Sequence, residues 1–241
     1  AEIKMLSASG IILGIDSSTG ACSIAVRRGD LLLAHLHEDM ARGQSERLAP
    51  MAEAGLAAAG LGFPDLDAIA VTRGPGSFTG LRIGMSFAKG LGQALGIPVF
   101  GITGFDAVAR AVFATEAAVD HGVAVILESR RADLFLQIFT TGGAPDGPPV
   151  ALPPEDIAAR LRQGREAPLV LAGDAADKVL AVLDQDGAAM LRSSPITAPD
   201  AREVALIGLE MAGDIAGNGD IPPVLEPLYL RAPDVTAPRA G

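Results

Sequence analysis

Three short stretches place residues able to do chemistry at suggestive spacings. The first is "GPGSFTGLRIG", Gly74 to Gly84, a glycine-rich turn between a strand-like run, "DAIAVT", and a helix-like one, "MSFAKGLGQAL". Such turns hold phosphates when backbone N–H groups converge on them. A phosphate loop needs Gly, then four residues, then Gly-Lys-Ser/Thr. Here Thr79 stands at the second glycine's place, and Lys89 lies well inside the following helix. A G-x-G-x-x-G fingerprint begins at Gly74 and Gly76 but also ends on Thr79, and no acid closes the next strand, "PVFGI". A nucleophile elbow requires glycines around its serine, whereas Ser77 is flanked by Pro75 and Thr79. What remains is a tight turn at Pro75 and Gly76, with Ser77 or Thr79 capping the helix.

The second stretch is "GIDSSTG", where Asp16 ends a core strand and Ser17, Ser18 and Thr19 follow in a hairpin turn. Actin-like and sugar-kinase ATPases use this layout, in which N–H groups and hydroxyls hold a phosphate and the acid positions metal or water. A buried acid that caps its own turn through Ser17, Ser18 and Thr19 accounts for the same residues. Both readings stand on sequence alone. The third stretch is His35-Leu36-His37, two imidazoles on one face of a strand, followed by Glu38 and Asp39. A metal site needs a third ligand and supporting groups behind it, and neither H-x-x-x-H nor H-E-x-x-H occurs. The expectation is a solvated edge strand with no metal. His121 is the only other histidine, so a Ser-His-acid protease is the weakest of the enzyme readings.

These residues must be positioned by a chain of 241 residues, enough for a sizeable core in one large or two small domains. "IILGI" reads as a buried central strand, and "ACSIAVRRGDLLLAHL" as two further strands joined by a turn at Arg28-Gly29-Asp30. Helix signals begin in "QSERLAPMAEAGLAAAGLG", with Ser45 as a cap, Pro50 as a start or kink, and Gly60 and Gly62 as stops. The order β-β-β-α-β-α-β-α follows, which calls for a parallel sheet covered by helices and extended by an antiparallel meander. "GVAVILESRRADLFLQIFTTGG" restarts the same layout. After it come a Gly/Pro-rich loop, "TTGGAPDGPPVALPP", a helix near Glu155–Arg162, the strand "PLVLAG", and helices near Ala175–Leu183 and Ala201–Ala212. The expected division is a first lobe at 1–120 and a reduced second lobe at 121–241, with a C-terminal segment near 222–235.

A net charge of −10 argues against an independent nucleic-acid surface, since phosphate binding needs Lys and Arg. Arg27-Arg28 and Arg130-Arg131 read as solvated turns. Hydrophobic residues reach 49%, largely Ala, with no run near the roughly 20 apolar residues of a membrane helix. The single cysteine, Cys22, precludes an internal disulfide and reads as a small buried residue. The N-terminal apolar run breaks at Asp16, so the expected compartment is the cytosol.

The helix after the glycine-rich turn carries the sharpest pattern. Gly80, Gly84, Ala88 and Gly92 recur every four residues, with Leu81, Met85 and Leu95 alongside. Ile83, Phe87, Leu91 and Ala94 form a second stripe. A helix covering one sheet face needs one stripe; two imply cover on both sides. The small-residue row is read as the docking face for another protomer.

Taken together, "ILGIDSSTGACSIAV", "DLDAIAVTRGPGSFTGLRIGMSFAKGLGQALGIPVFGITGFDAVA" and "PLYLRAPDV" resemble the TsaB (YeaZ) family. The resemblance is dense in the first lobe and thin in the second. It departs at Gln44-Ser45-Glu46, where many members have His-Ser-Glu, and at "ESRRADLF". It implies an actin-like (ASKHA) fold, two lobes of mixed sheets flanked by helices, and a role in forming threonylcarbamoyladenosine beside the tRNA anticodon. In that system the larger paralogue TsaD is the catalyst and binds metal through H-x-x-x-H, while the small ATPase TsaE joins the pair. The resemblance therefore implies a non-catalytic partner that contacts tRNA only through the complex. It binds no cofactor tightly, ATP or ADP enters only in the assembly, and the chain forms a homodimer in isolation. The family's pairing surface comes from the first two helices, which maps it here onto Gly80, Leu81, Gly84, Met85, Ala88 and Leu95, with Glu53 and Leu56. An active ATPase or kinase built on Asp16, Ser17, Ser18 and Thr19 is the competing reading.

Overall fold

A computed structural model describes residues 10–40, 42–115, 120–162, 168–183, 191–218 and 224–230. Large and small residues alternate along the first strands, and this alternation decides how the helices pack. In β1 (Ile11–Asp16) and β4 (Ala68–Gly74), Leu13, Ile15, Ile69 and Val71 point to one face of the sheet. Ile12, Gly14, Ala68 and Ala70 point to the other. Side chains on a strand alternate with period 2, so one face is bulky and the other nearly flat.

The sheet has the order β3-β2-β1-β4-β5. β2 (Ala21–Arg28) and β3 (Leu31–Asp39) form the expected antiparallel meander, while β4 and β5 (Val99–Thr103) run parallel to β1. The bulky face packs α1 (Gln44–Ala58) and α2 (Phe78–Leu95) around Leu48, Met51, Leu56 and Met85. α1 starts at Gly43, with φ of 93°, so Ser45 lies inside the first turn rather than capping it. Pro50 is accommodated in the exposed side of that helix.

The second sheet repeats the topology, β10-β9-β6-β7-β8. β6 (Gly122–Glu128) pairs antiparallel with β7 (Leu134–Phe139) and parallel with β9 (Leu169–Ala172), which is flanked by β10 (Leu191–Ser193). β8 (Val150–Leu152) is an edge strand within the stretch read from sequence as loop; an edge tolerates the neighbouring prolines because half its N–H groups need no ladder partner. α4 (Pro154–Arg162) and α5 (Ala176–Leu180) cover one face. α3 (Gly104–Phe113) lies between the sheets, with Phe105, Val108 and Val112 against Val123, Val125 and Val170.

The last helix, α6 (Ala201–Asn218), departs from the sequence reading, which grouped Ala201–Ala212 with the second lobe. It packs on the flat face of the first sheet, through Ala201, Val204, Ala205 and Ala212. A Cβ on Gly14 would stand 2.3 Å from the Ala201 carbonyl oxygen, and one on Gly208 would stand 2.5 Å from the Ala70 Cβ. The small side chains of β1 and β4 are therefore the seat of α6. Leu228 also returns to this sheet, its N–H donating to the Arg73 carbonyl at 2.8 Å. Residues 201–218 thus lie on the first sheet, apart from the rest of 121–241, while in 224–230 Leu225 joins the first sheet's core and Leu228 and Leu230 pack on the cluster between the sheets. Of the segment 222–235, residues 222–223 and 231–235 are outside the described residues.

Candidate functional site

The hairpin after β1 and the glycine-rich turn before α2 are brought into direct contact. The Ser77 N–H donates to the Ser18 carbonyl at 2.7 Å, and the Ser17 hydroxyl donates to the Gly80 carbonyl at 2.9 Å. Gly76 and Gly80 are required by this closeness: a Cβ on either would meet the Ser18 or Ser17 carbonyl oxygen at 2.4 and 2.1 Å. Gly74 is held at φ of 125° and is joined to Pro75 by a cis peptide. Ser77 caps α2 by accepting the Gly80 N–H, and Thr79 is exposed on the first turn.

Asp16, Ser17 and Ser18 are consequently buried, while Thr19 is half-buried. One Asp16 oxygen, Oδ1, accepts the Ser18 hydroxyl at 2.6 Å and the Ser18 N–H at 3.3 Å. The other, Oδ2, is buried without a hydrogen-bond partner, as is the Thr72 hydroxyl. Chemically this is a carboxyl sealed under its own turn. The Ser17 and Ser18 hydroxyls are engaged with the protein, and the turn that precedes α2 packs against the same hairpin.

Burial pushes the Asp16 carboxyl above its ordinary value of 3.8, against the lowering effect of the Ser18 hydrogen bonds. A carboxyl with a raised folded pKa binds more protons folded than unfolded. The contribution of Asp16 to stability therefore falls as pH rises from about 3.8 through its folded value, and is constant above it. Asn keeps the acceptor for Ser18 and carries no charge. Asp16→Asn is expected to flatten that dependence and to unfold at pH 8 at the same urea concentration as wild type or higher. Urea midpoints at pH 4 and pH 8 check this; a midpoint lower at pH 8 than at pH 4 by the wild-type margin contradicts it.

The small-residue row of α2 faces inward. Gly80 rests on Ser17, Gly84 would place a Cβ 2.5 Å from the Ser17 hydroxyl, and Gly92 would place one 2.4 Å from Val99. Leu81, Met85 and Ala88 are buried with them, and Leu56 of α1 is buried in the same core. This corrects the reading of Gly80, Leu81, Gly84, Met85, Ala88 and Leu56 as residues presented to a partner: the chain's own hairpin and sheet take that role. Leu95 is half-buried against the core and Glu53 is exposed. The outward face carries a different row, Ser86, Gly90 and Ala94, all exposed. A Cβ on Gly90 would meet nothing within 4 Å. Ala54, Ala57 and Ala58 are exposed on neighbouring α1. At the start of α2, Phe78 is 51% exposed and stacks at 5.9 Å on Tyr229, itself 45% exposed. The Arg82 guanidinium lies 3.8 Å over the Phe78 ring. Sequence reasoning overlooked this cluster because Tyr229 comes from the far end of the chain. His35 and His37 lie on edge strand β3, as expected, but Asp200 at the start of α6 is brought beside them.

An uncharacterized protein of Mycobacterium tuberculosis (strain ATCC 25618 / H37Rv) is 35% identical over 92% of both chains. The solved structure of YeaZ from Pseudomonas aeruginosa superposes with a TM-score of 0.75 and 27% identity, covering 92% of this chain and 100% of that one. The tRNA threonylcarbamoyladenosine biosynthesis protein TsaB of Haemophilus influenzae is 38% identical over 52% of this chain and 51% of its own length. The chain belongs to the TsaB (YeaZ) family. A family model described as TsaD, tRNA N6-adenosine threonylcarbamoyltransferase, matches residues 37–144, from the end of β3 to just beyond β7. The fold alone is shared with the activator of the 2-hydroxyisocaproyl-CoA dehydratase from Clostridium difficile, at a TM-score of 0.52 and 12% identity. The duplicated sheets of this TsaB-family chain are those of the actin-like class. No described helix is long and apolar enough to cross a membrane.

Proposed function

We propose that this chain is a non-catalytic subunit of the system that forms threonylcarbamoyladenosine in tRNA, and that it pairs with and orients the larger TsaD paralogue. The observation that carries the reading is the outer face of α1 and α2. Two adjacent helices expose Ala54, Ala57, Ala58, Ser86, Gly90 and Ala94 while Ile83, Phe87 and Leu91 stand half-buried between. Small exposed residues let another helix pair approach closely, and the half-buried large ones supply apolar area when covered. Glu53 and Leu95 border this face, and Phe78 with Tyr229 extends it. The same face pairs with a second copy when TsaD is absent. TsaE joins the assembled pair, ATP or ADP enters only there, tRNA is contacted through the complex, and the site of action is the cytoplasm. Light scattering of the purified chain mixed with TsaD tests the pairing: a mass equal to the sum of the two subunits is expected, and two separate species overturn the reading.

The actin-like fold keeps a second reading in view, an ATPase or kinase acting through Asp16, Ser17, Ser18 and Thr19. The internal bonds of Ser17 and Ser18 argue against it. Calorimetry with ATP and magnesium is expected to show no sub-millimolar binding to the isolated chain; tight binding abolished by Asp16→Asn would favour the enzyme.

A further inference from the structure

His35 and His37 stand on the same side of the edge strand β3, two residues apart as the period of a strand requires. α6 packs across the flat face of the sheet, and its first residues therefore arrive over β3. Asp200, immediately before that helix, meets both rings. Its Oδ1 is 3.1 Å from His35 Nε2, and its Oδ2 is 3.9 Å from His37 Nδ1. One ligand atom from each of the three side chains falls within 4.8 Å of the other two. Metal–ligand bonds of about 2.0–2.1 Å in a tetrahedron separate neighbouring donor atoms by roughly 3.3 Å, so the observed spacing needs only small side-chain rotations.

Two details distinguish this cluster from a simple ion pair. His35 Nε2 is buried and has no hydrogen bond, although a carboxylate oxygen lies 3.1 Å away. In addition, the two ring nitrogens of His37 face different carboxylates: Nδ1 faces Asp200, and Nε2 lies 3.3 Å from Asp39 Oδ1. A metal-bound histidine commonly donates its second ring N–H to a carboxylate, which fixes the tautomer and raises ligand basicity. Arg202 also engages Asp200: its backbone N–H donates to Oδ1 at 2.8 Å, its Nε to Oδ1 at 2.9 Å and its Nη2 to Oδ2 at 3.3 Å, the side chain being half-exposed.

We propose that His35, His37 and Asp200 bind a divalent zinc ion, with Asp39 supporting His37 and a water completing the tetrahedron. Two imidazoles and one carboxylate suit zinc, whereas magnesium and calcium prefer oxygen donors alone. The ion ties the start of α6 to the edge of the first sheet, where the chain returns from the second lobe. None of these groups belongs to the outer face of α1 and α2, so the site is independent of the proposed pairing.

The test uses the untagged full chain freed of metal, titrated with zinc at pH 7.5 by calorimetry, with cobalt as a spectroscopic stand-in. One zinc per chain is expected, with the intense visible absorption of four-coordinate cobalt. His35→Gln and His37→Gln should each weaken binding by at least about 100-fold, and Asp39→Asn by about 10-fold. His121→Gln should leave it unchanged. Circular dichroism of each metal-free variant shows whether the fold is intact. Absence of stoichiometric binding by wild type, or undiminished binding by a folded His35→Gln/His37→Gln double variant, overturns the proposal.

Discussion

Gly80→Val is expected to destabilise the protein by about 3 kcal/mol or more, while Gly90→Ala stabilises it by about 1 kcal/mol. Both glycines lie in α2 and look alike in sequence. A Cβ on Gly80 would stand 2.1 Å from the Ser17 carbonyl oxygen, a backbone atom held by the β1–β2 hairpin. Relief requires the hairpin and helix to separate, which breaks the Ser17 hydroxyl bond to Gly80 and strains the Ser77 bond to Ser18. Against a total stability of about 5–15 kcal/mol, that loss is large. Gly90 has open space where its Cβ would go, so alanine gains helix propensity without a clash. Urea denaturation of both variants, with unchanged m, checks the pair. Midpoints shifting in the same direction would mean that the inward and outward faces of α2 are wrongly assigned.

Gly90→Trp is expected to weaken pairing with TsaD by at least about 100-fold, roughly 2.7 kcal/mol, while the isolated chain stays folded. The indole projects from the outer face at the point where a partner helix must approach most closely. Ala57→Arg, on the adjoining turn of α1, should act in the same direction. Ala159→Trp, exposed on α4 in the second lobe, should leave pairing unchanged. Affinities measured by calorimetry, with circular dichroism as the folding control, decide the matter. Wild-type affinity in Gly90→Trp would remove the outer face of α2 from the interface. The original candidates make poor probes: Gly84 and Ala88 are buried in the chain's own core, so bulky substitutions there unfold the subunit and lose pairing for an uninformative reason.

Much of the architecture was legible because strand and helix periods are local. The opening meander, the β-α-β alternation and the restart at Gly122 follow from runs such as "IILGI" and "GVAVILE", and the two sheets repeat one strand order. A cap at Ser77 or Thr79 was legible too, since a cap is a property of adjacent residues, and Ser77 is the one that caps α2. Even the seat of α6 left a trace: the alternation of large and small residues in "IILGI" and "AIAVT" marks a flat face where a helix lies close.

What only the tertiary structure decided were the partners of residues distant in sequence. A row of glycines every four positions states that something comes near, not whether that neighbour is the chain's own Ser17 or another subunit. The same limit hid Asp200 from His35 and His37, and Tyr229 from Phe78, because each pair is joined by the return of the C-terminal residues to the first sheet. Local pattern, set by backbone geometry and side-chain size, determined the elements and their buried faces. Which buried face met which neighbour was settled by the packing of the assembled sheets, where contact depends on topology rather than on spacing along the chain.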